Sequence, residues 1–375
     1  MNSIPVWAEI DLAAYRHNVE SLKRRVGPRA ALMAVVKADG YGHGAVELSR
    51  AAVTAGAAWL GVARADEALV LRRAGLEAPI LVFGALEPHH VAAVAEQRIV
   101  ATVFSLPQAE VLSASAVAAG RTLRIHVKVD TGMGRLGLPA GGGDTVRDLL
   151  TVASLPGLQI EGIYTHFATA DRADKTEAER QLDRFTELTE RVGRAGLEIP
   201  LRHVANSAAL ISMPESHLDL VRAGIATYGF CPGDEMDCRS LDLRPVMQLK
   251  SRILQLREVP ADTPLSYGGT YRTPRATTIA TLSIGYADGL SRRLSSRGTA
   301  LVRGRRAPIV GRVCMDLTLI DVGAIADVAV GDEVSLFGGR QEPRITAEEV
   351  ADLLDTIHYE IVSAISARVP RVYLD

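Results

Sequence analysis

Lys37 closes an apolar run and is followed at once by a glycine-rich loop: residues 34–44 read AVVKADGYGHG. A lysine is seldom fully buried without a partner. The position is either a solvated strand end or an amine held for chemistry. Four later segments carry polar residues of the kinds that hold anions or move protons. LRIHVKVD (123–130) contains Lys128 and runs into Asp130-Thr-Gly-Met-Gly-Arg135. LQIEGIYTHF (158–167) carries His166, LRHVAN (201–206) carries His203 ahead of Ser207, and LDLVRAG (218–224) carries Arg222 and ends at Gly224. Taken singly, each has a plain reading: a solvated terminus, a structural histidine, a surface arginine, and for Ser207 an N-cap of SAALIS. Taken together, they suit imine formation at a lysine beside an anion-binding turn.

That joint reading needs a scaffold that brings the five segments to one rim. Eight β-like runs alternate with amphipathic stretches: 31–38, 59–63, 79–84, 99–104, 123–130, 158–167, 201–206 and 218–224. Such alternation implies parallel strands with right-handed crossovers. Eight units fit a (β/α)8 TIM-type barrel, the alternative being an open doubly wound sheet. In a barrel the chemistry gathers at the carboxyl ends of the strands, where Lys37, Arg135, His166, Asn206-Ser207 and Gly224 all fall. Past about residue 235 the texture becomes strands broken by Gly and Pro, which reads as a mainly-β C-terminal domain. The expected domains are 1–235 and 236–375, with residues 5–10 adding a strand to the second. Residues 346–369, opening with Thr346-x-x-Glu349, are expected to form a helix.

The bulk numbers set limits. The chain has 375 residues, 47% hydrophobic and 23% charged, with a net charge of −2. This supports a large core and points to no nucleic-acid or membrane-surface partner. No signal peptide and no transmembrane run is expected. Cys231, Cys238 and Cys314 do not read as a disulfide framework, which suggests a reducing, cytoplasmic setting. The C-x6-C spacing is no standard zinc pattern, and no metal is expected. GMGRLG (132–137) matches G-x-G-x-x-G, but it follows the fifth run and LPAGGGDTVRDLL does not open a helix directly on it, so a dinucleotide site is disfavoured. The NSAALIS and RAGIA turns, after the seventh and eighth runs, lie where such barrels seat phosphate. A phosphorylated aldehyde held by lysine is the natural ligand, and pyridoxal phosphate (PLP) is one.

AVVKADGYGHG, KVDTGMGRLG, IYTHFATAD, HVANSAA, VRAGIATYG, SYGGTY, SIGYADG, GRVCMD and IHYEI together resemble bacterial alanine racemases, from about residue 5 to the C-terminus. The resemblance implies a PLP-dependent isomerase that interconverts L- and D-alanine and supplies D-alanine for peptidoglycan. It implies Lys37 as the internal-aldimine lysine, and Tyr41, Ser207, Gly224, Ile225 and Tyr359 as phosphate contacts. Arg222 matches the arginine facing the pyridine nitrogen. Arg135 matches the one beside the cofactor's phenolic oxygen and the substrate carboxylate, oriented by Lys128, which is carbamylated in some members. Tyr267 matches the second catalytic base, and Met315 a backbone contact to substrate, both from a partner subunit of a homodimer. His166 and His203 match the surrounding hydrogen-bond network, while Asp171, Tyr286 and Arg312 match residues lining the way in. CPGDEMDCRS (231–240) has no assignable counterpart.

The chemistry is coherent with those roles. Racemisation removes a proton on one face of a planar carbanion and returns one on the other, which calls for two bases. Lys37 and Tyr267 both have ordinary pKa values near 10, and neighbouring cations would depress them. An arginine at the ring nitrogen disfavours a protonated ring, so a short-lived carbanion with little transamination is expected. Other readings are a racemase of serine or lysine, a related barrel-type amino-acid decarboxylase, and a non-catalytic PLP-binding barrel. The decarboxylases place a carboxylate where Arg222 stands, and the non-catalytic barrels lack the β domain.

Overall fold

The computed structural model describes residues 4–141 and 144–375; Met1–Ser3 and the Gly142-Gly143 part of the AGGGD run lie outside it. Two compact units emerge, one of residues 15–40 and 45–243, the other of residues 1–14, 41–44 and 244–375. The chain begins with strand β1 (Val6–Asp11) and helix Leu12–Val26.

The barrel unit contains β2 (Ala31–Val35), β3 (Trp59–Val62), β4 (Ile80–Val82), β5 (Val100–Val103), β6 (Leu123–Asp130), a short β7 (Leu138–Pro139), β8 (Leu158–Tyr164), β9 (Leu201–His203) and β10 (Leu220–Ala223). These are the eight runs read from the sequence, plus β7. The order is β10-β2-β3-β4-β5-β6-β8-β9, every pairing parallel. The seam between β9 and β10 is drawn shut by Asp219 N–H to Arg202 O (3.1 Å) and Arg222 N–H to Ala205 O (3.0 Å). The fold is therefore a nearly closed (β/α)8 barrel, not an open sheet. Most barrel strands are buried on both faces, as continuous Val/Ile/Leu runs demand when helices cover one side and the barrel core fills the other. Met33, Leu81, Val100 and Leu220 pack with Trp59 and Phe83 into part of that core.

The second unit is mainly β. Its central strand is β11 (Met247–Val259), which pairs with β1, β12 (Thr277–Leu282) and β13 (Glu333–Gly338), all antiparallel. Ala8 to Asp11 of β1 run parallel to Arg371–Leu374. Residues 346–369 do not form one helix. Thr346 caps the first, Ala347–Leu354, by accepting the Glu349 N–H at 3.0 Å. Asp355 then turns left-handed at φ 58°, and a second helix starts at His358. The break lets Ile361, Val362 and Leu354 all face inward, which one straight helix would not.

Candidate active site

The segment after β2 is not an ordinary loop. Ala38, Asp39, Gly40 and Tyr41 all have positive φ, between 51° and 62°. Consecutive left-handed residues cost roughly 1 kcal/mol each unless something imposes them. Glu67, which no sequence signal singled out, does so from the next βα unit. Its carboxylate accepts the N–H groups of Ala38 (2.6 Å), Ala63 (2.7 Å) and Arg64 (3.0 Å). Asp39 accepts the Ala45 N–H at 2.8 Å, and Gly40 N–H reaches Val36 O at 2.8 Å. Lys37 is thereby delivered, half-buried, at the strand's carboxyl end. Burial lowers the pKa of its amine, Arg135 lowers it further, and Glu67 partly offsets both. We expect Glu67→Ala to cost about 2 kcal/mol in urea unfolding, the scale of a lost charge-assisted hydrogen bond.

The barrel interior beneath Lys37 is crossed by polar side chains. Arg222 on β10 is buried and donates Nη1–H to His203 Nδ1 (2.9 Å). Its Nη2 reaches Thr165 O (2.8 Å), Val204 O (2.9 Å) and His166 Nδ1 (3.1 Å). The Tyr164 ring stacks on His203 at 4.7 Å and lies 5.3 Å below the Arg222 guanidinium. Thr102 donates to Val82 O at 2.6 Å, so the Tyr164 hydroxyl, 3.0 Å away, donates to Thr102. Burial pushes the Tyr164 phenol up to about 12. Gln181 fixes the backbone beside His166, giving Nε2–H to His166 O (3.2 Å) and taking the Ala168 N–H (2.9 Å).

This interior is short of negative charge. Burial first, then Arg135 and Arg222, pull Lys128 down to about 8. Burial brings Arg222 itself to about 10. His166 and His203 sit well below the ordinary histidine value, from burial and then from Arg222. Both are neutral near pH 7. The nearby carboxylate, Asp130, is already committed. Burial raises its pKa, but its oxygens accept the N–H groups of Gly132, Met133 and Gly134 at 2.9–3.1 Å, and the net result is a lowered value. Those amides are the ones a dinucleotide phosphate would need, and β7 rather than a helix follows them. GMGRLG is thus an internally satisfied turn that aims Arg135.

Ser207 is not the helix cap. Asn206 is, accepting the Ala209 N–H at 3.0 Å. Ser207 is the first helical residue, and its Oγ takes the Gly224 N–H at 2.8 Å. The turn after β9 is thus fastened to the turn after β10, where Ile225 opens a 3-10 helix.

The cysteine expectation is corrected. Cys231 and Cys238 are joined in a disulfide, and Cys314 is free. A seven-residue separation in an otherwise cysteine-poor chain gave no warning. The closed loop braces the segment holding Asp171: Glu235 pairs with Arg172 (3.0 Å) and takes the Ala173 N–H (2.7 Å).

Lys37, Lys128, Arg135, His166, Asp171, His203, Ser207, Arg222, Gly224 and Ile225 belong to the barrel unit; Tyr41, Tyr267, Tyr286, Arg312, Met315 and Tyr359 belong to the β unit. Within the latter, the Tyr41 and Tyr359 rings meet at 6.2 Å, and burial raises the Tyr41 phenol. Tyr267 stands on a tight turn at 70% exposure. Ser266, held at φ 60°, binds this turn to the next loop through Oγ–H to Arg312 O (2.6 Å). That loop receives Tyr286 N–H at Cys314 O and Ala287 N–H at Met315 O, both 3.0 Å. Tyr267, Arg312, Met315 and Tyr286 therefore sit on one set of cross-linked loops, three of them well exposed.

A barrel that raises a depressed lysine amine over a buried arginine and two neutral imidazoles, joined to a β unit, defines a class: a barrel-type enzyme of amine chemistry. Comparison with known proteins narrows it. The family model of the alanine racemase N-terminal domain matches residues 10–232, and that of the alanine racemase C-terminal domain matches 246–373. An alanine racemase of Desulfosudis oleivorans is 53% identical, covering 100% of this chain and 97% of its own. The alanine racemase structure of Clostridium difficile superimposes with a TM-score of 0.95 at 38% identity, over 99% of this chain and 96% of that one. One from Bacillus anthracis, described with bound L-Ala-P, gives 0.94 at 38% identity, over 99% and 95%. The chain belongs to the alanine racemase family, a family of isomerases.

Proposed function

We propose that the protein interconverts L- and D-alanine with PLP bound at Lys37, moving the α-proton between two bases, Lys37 and Tyr267. The observation that carries this is the depressed Lys37 amine set among Lys128, Arg135 and Arg222 with Asp130 already spent on backbone amides. Such a site wants a polyanion that is also an amine acceptor. The residues present fit PLP. Arg222 keeps Nε–H and one Nη1–H beyond the hydrogen bonds it makes among the described residues, enough to face a ring nitrogen that stays unprotonated. Ser207 Oγ–H and the Ile225 N–H at a 3-10 start suit phosphate oxygens, with Tyr41 and Tyr359 as further phosphate contacts. When bound, PLP supplies an electron sink for the α-carbanion.

The chain's own residues do the rest. Lys37, with its amine pKa lowered, holds or takes the proton on one face. Arg135 orients the substrate carboxylate. Tyr267 handles the opposite face, and Met315 adds a backbone contact to the carboxylate. Both come from a second copy of the chain, with Asp171, Tyr286 and Arg312 lining the path inward. The exposure of Tyr267 and Met315 on braced loops supports this homodimer with shared sites. A cytoplasmic role in supplying D-alanine for peptidoglycan follows from the same reading.

Lys128, brought to about 8, has a neutral fraction near pH 7.5 that can add carbon dioxide, forming a carbamate and releasing a proton. Replacing one cation by an anion among Arg135, Arg222 and Lys37 is favourable. In 13C-bicarbonate we expect one carbamate signal, absent in Lys128→Met, with KM for alanine raised several-fold in that variant.

The deciding experiment is L-alanine in heavy water with the PLP-loaded protein, following chirality and α-proton exchange together. Deuterated D-alanine establishes the reaction. Exchange or carbon dioxide release seen only with another amino acid would move the substrate and refute the alanine assignment.

A further inference from the structure

His126, on β6, lies in LRIHVKVD but has no role in the reading above; it is fully buried and ends a directed chain of hydrogen bonds that starts at Arg222. A guanidinium only donates, so His203 Nδ1 must accept from Arg222 Nη1 at 2.9 Å. Neutral His203 then carries its proton on Nε2. That nitrogen lies 2.9 Å from His126 Nδ1, which must accept in turn. His126 is left with its proton on Nε2, a buried atom with no hydrogen-bond partner among the described residues. Leaving a buried N–H unsatisfied is costly, and the fold goes to lengths to keep the ring there. Gly162 has no side chain where a Cβ would come within 2.8 Å of His126 ring atoms, and Trp59 packs the ring at 5.4 Å. Burial, then Arg222 and Arg124, brings His126 to about 3, so it stays a neutral acceptor.

We propose that His126 is a positioning residue for Arg222: by accepting from His203 Nε2–H, it locks His203 as a pure acceptor toward the guanidinium. Without that acceptor His203 is free to take its other tautomer, which turns an N–H toward the Arg222 N–H groups. Arg222 then loses one of its fixed points, and the donors left over for a ligand ring nitrogen are no longer aimed. The functional consequence rests on the racemase reading above, whereas the tautomer assignment stands on the hydrogen-bond geometry alone.

The test is 15N-histidine NMR of the full chain, with and without added PLP, alongside steady-state racemisation for wild type, His126→Leu and His126→Asn. Asparagine can place Oδ1 near the Nδ1 position and keep the acceptor; leucine cannot. We expect wild-type His203 to be protonated at Nε2 only, and His126→Leu to mix in the Nδ1–H form. We expect kcat about tenfold lower in His126→Leu at nearly unchanged KM, and His126→Asn within about threefold of wild type. An Nδ1–H His203 in the wild type overturns the proposal, as do Leu and Asn variants with equal kcat. If the leucine variant does not fold, the wild-type tautomer and the asparagine variant decide. A wild type that racemises nothing would sink the functional reading and leave the tautomer result to judge the chain.

Discussion

Lys37→Ala lowers alanine racemisation about 10,000-fold or more while leaving the barrel folded. On the proposed reading two functions are lost at once: the amine that holds the cofactor, and one of the two bases. General-base removal alone is commonly worth 100- to 10,000-fold. Folding is expected to survive because the left-handed turn is fastened by the Ala38 N–H on the Glu67 carboxylate, the Ala45 N–H on the Asp39 carboxylate and the Gly40 N–H on Val36 O. Circular dichroism and turnover of the PLP-soaked variant check this, and activity within tenfold of wild type would remove Lys37 from the mechanism. A companion effect fixes the sign of the pH dependence. If Lys37 is the proposed base it acts when deprotonated, so activity is expected to rise as pH climbs through its lowered pKa. Arg135→Gln removes a cation that lowers that pKa, so the rising limb moves to higher pH.

Mixing Lys37→Ala chains with Tyr267→Phe chains restores activity that neither homodimer has. If each site joins Lys37 of one chain to Tyr267 of the other, a hybrid dimer holds one doubly damaged site and one intact site. Random reassortment makes half the dimers hybrids, so about a quarter of wild-type activity returns. Self-contained sites would return none. The structural motive is the exposure of Tyr267 (70%) and Met315 (53%) on loops that Ser266 and Arg312 hold rigid. On the proposed reading, the exposed Tyr267 phenol is the base offered to a second copy of the chain.

By itself the sequence determined the architecture. Eight apolar runs at strand length, separated by helical periodicity, specify a parallel barrel because most of the runs are buried on both faces. The Gly- and Pro-broken strands after residue 235 specify a β unit for the same local reason. Lys37, Arg222 and their companions could be picked out as candidates because strand ends are where a barrel does chemistry. Tertiary structure alone decided what supports them. Glu67 reaches the Ala38 N–H 29 positions away and His126 reaches His203 77 positions away, and no local pattern records which backbone amide or ring nitrogen a distant side chain will face. Shorter separations hid other contacts too: Asn206 takes the cap while Ser207 binds the Gly224 N–H, and Cys231 bonds Cys238. Asp355 ended a helix that its flanking periodicity would have continued, because two apolar faces had to be buried in different directions. Periodicity reports which face is apolar; only the packed chain reports which polar atoms meet.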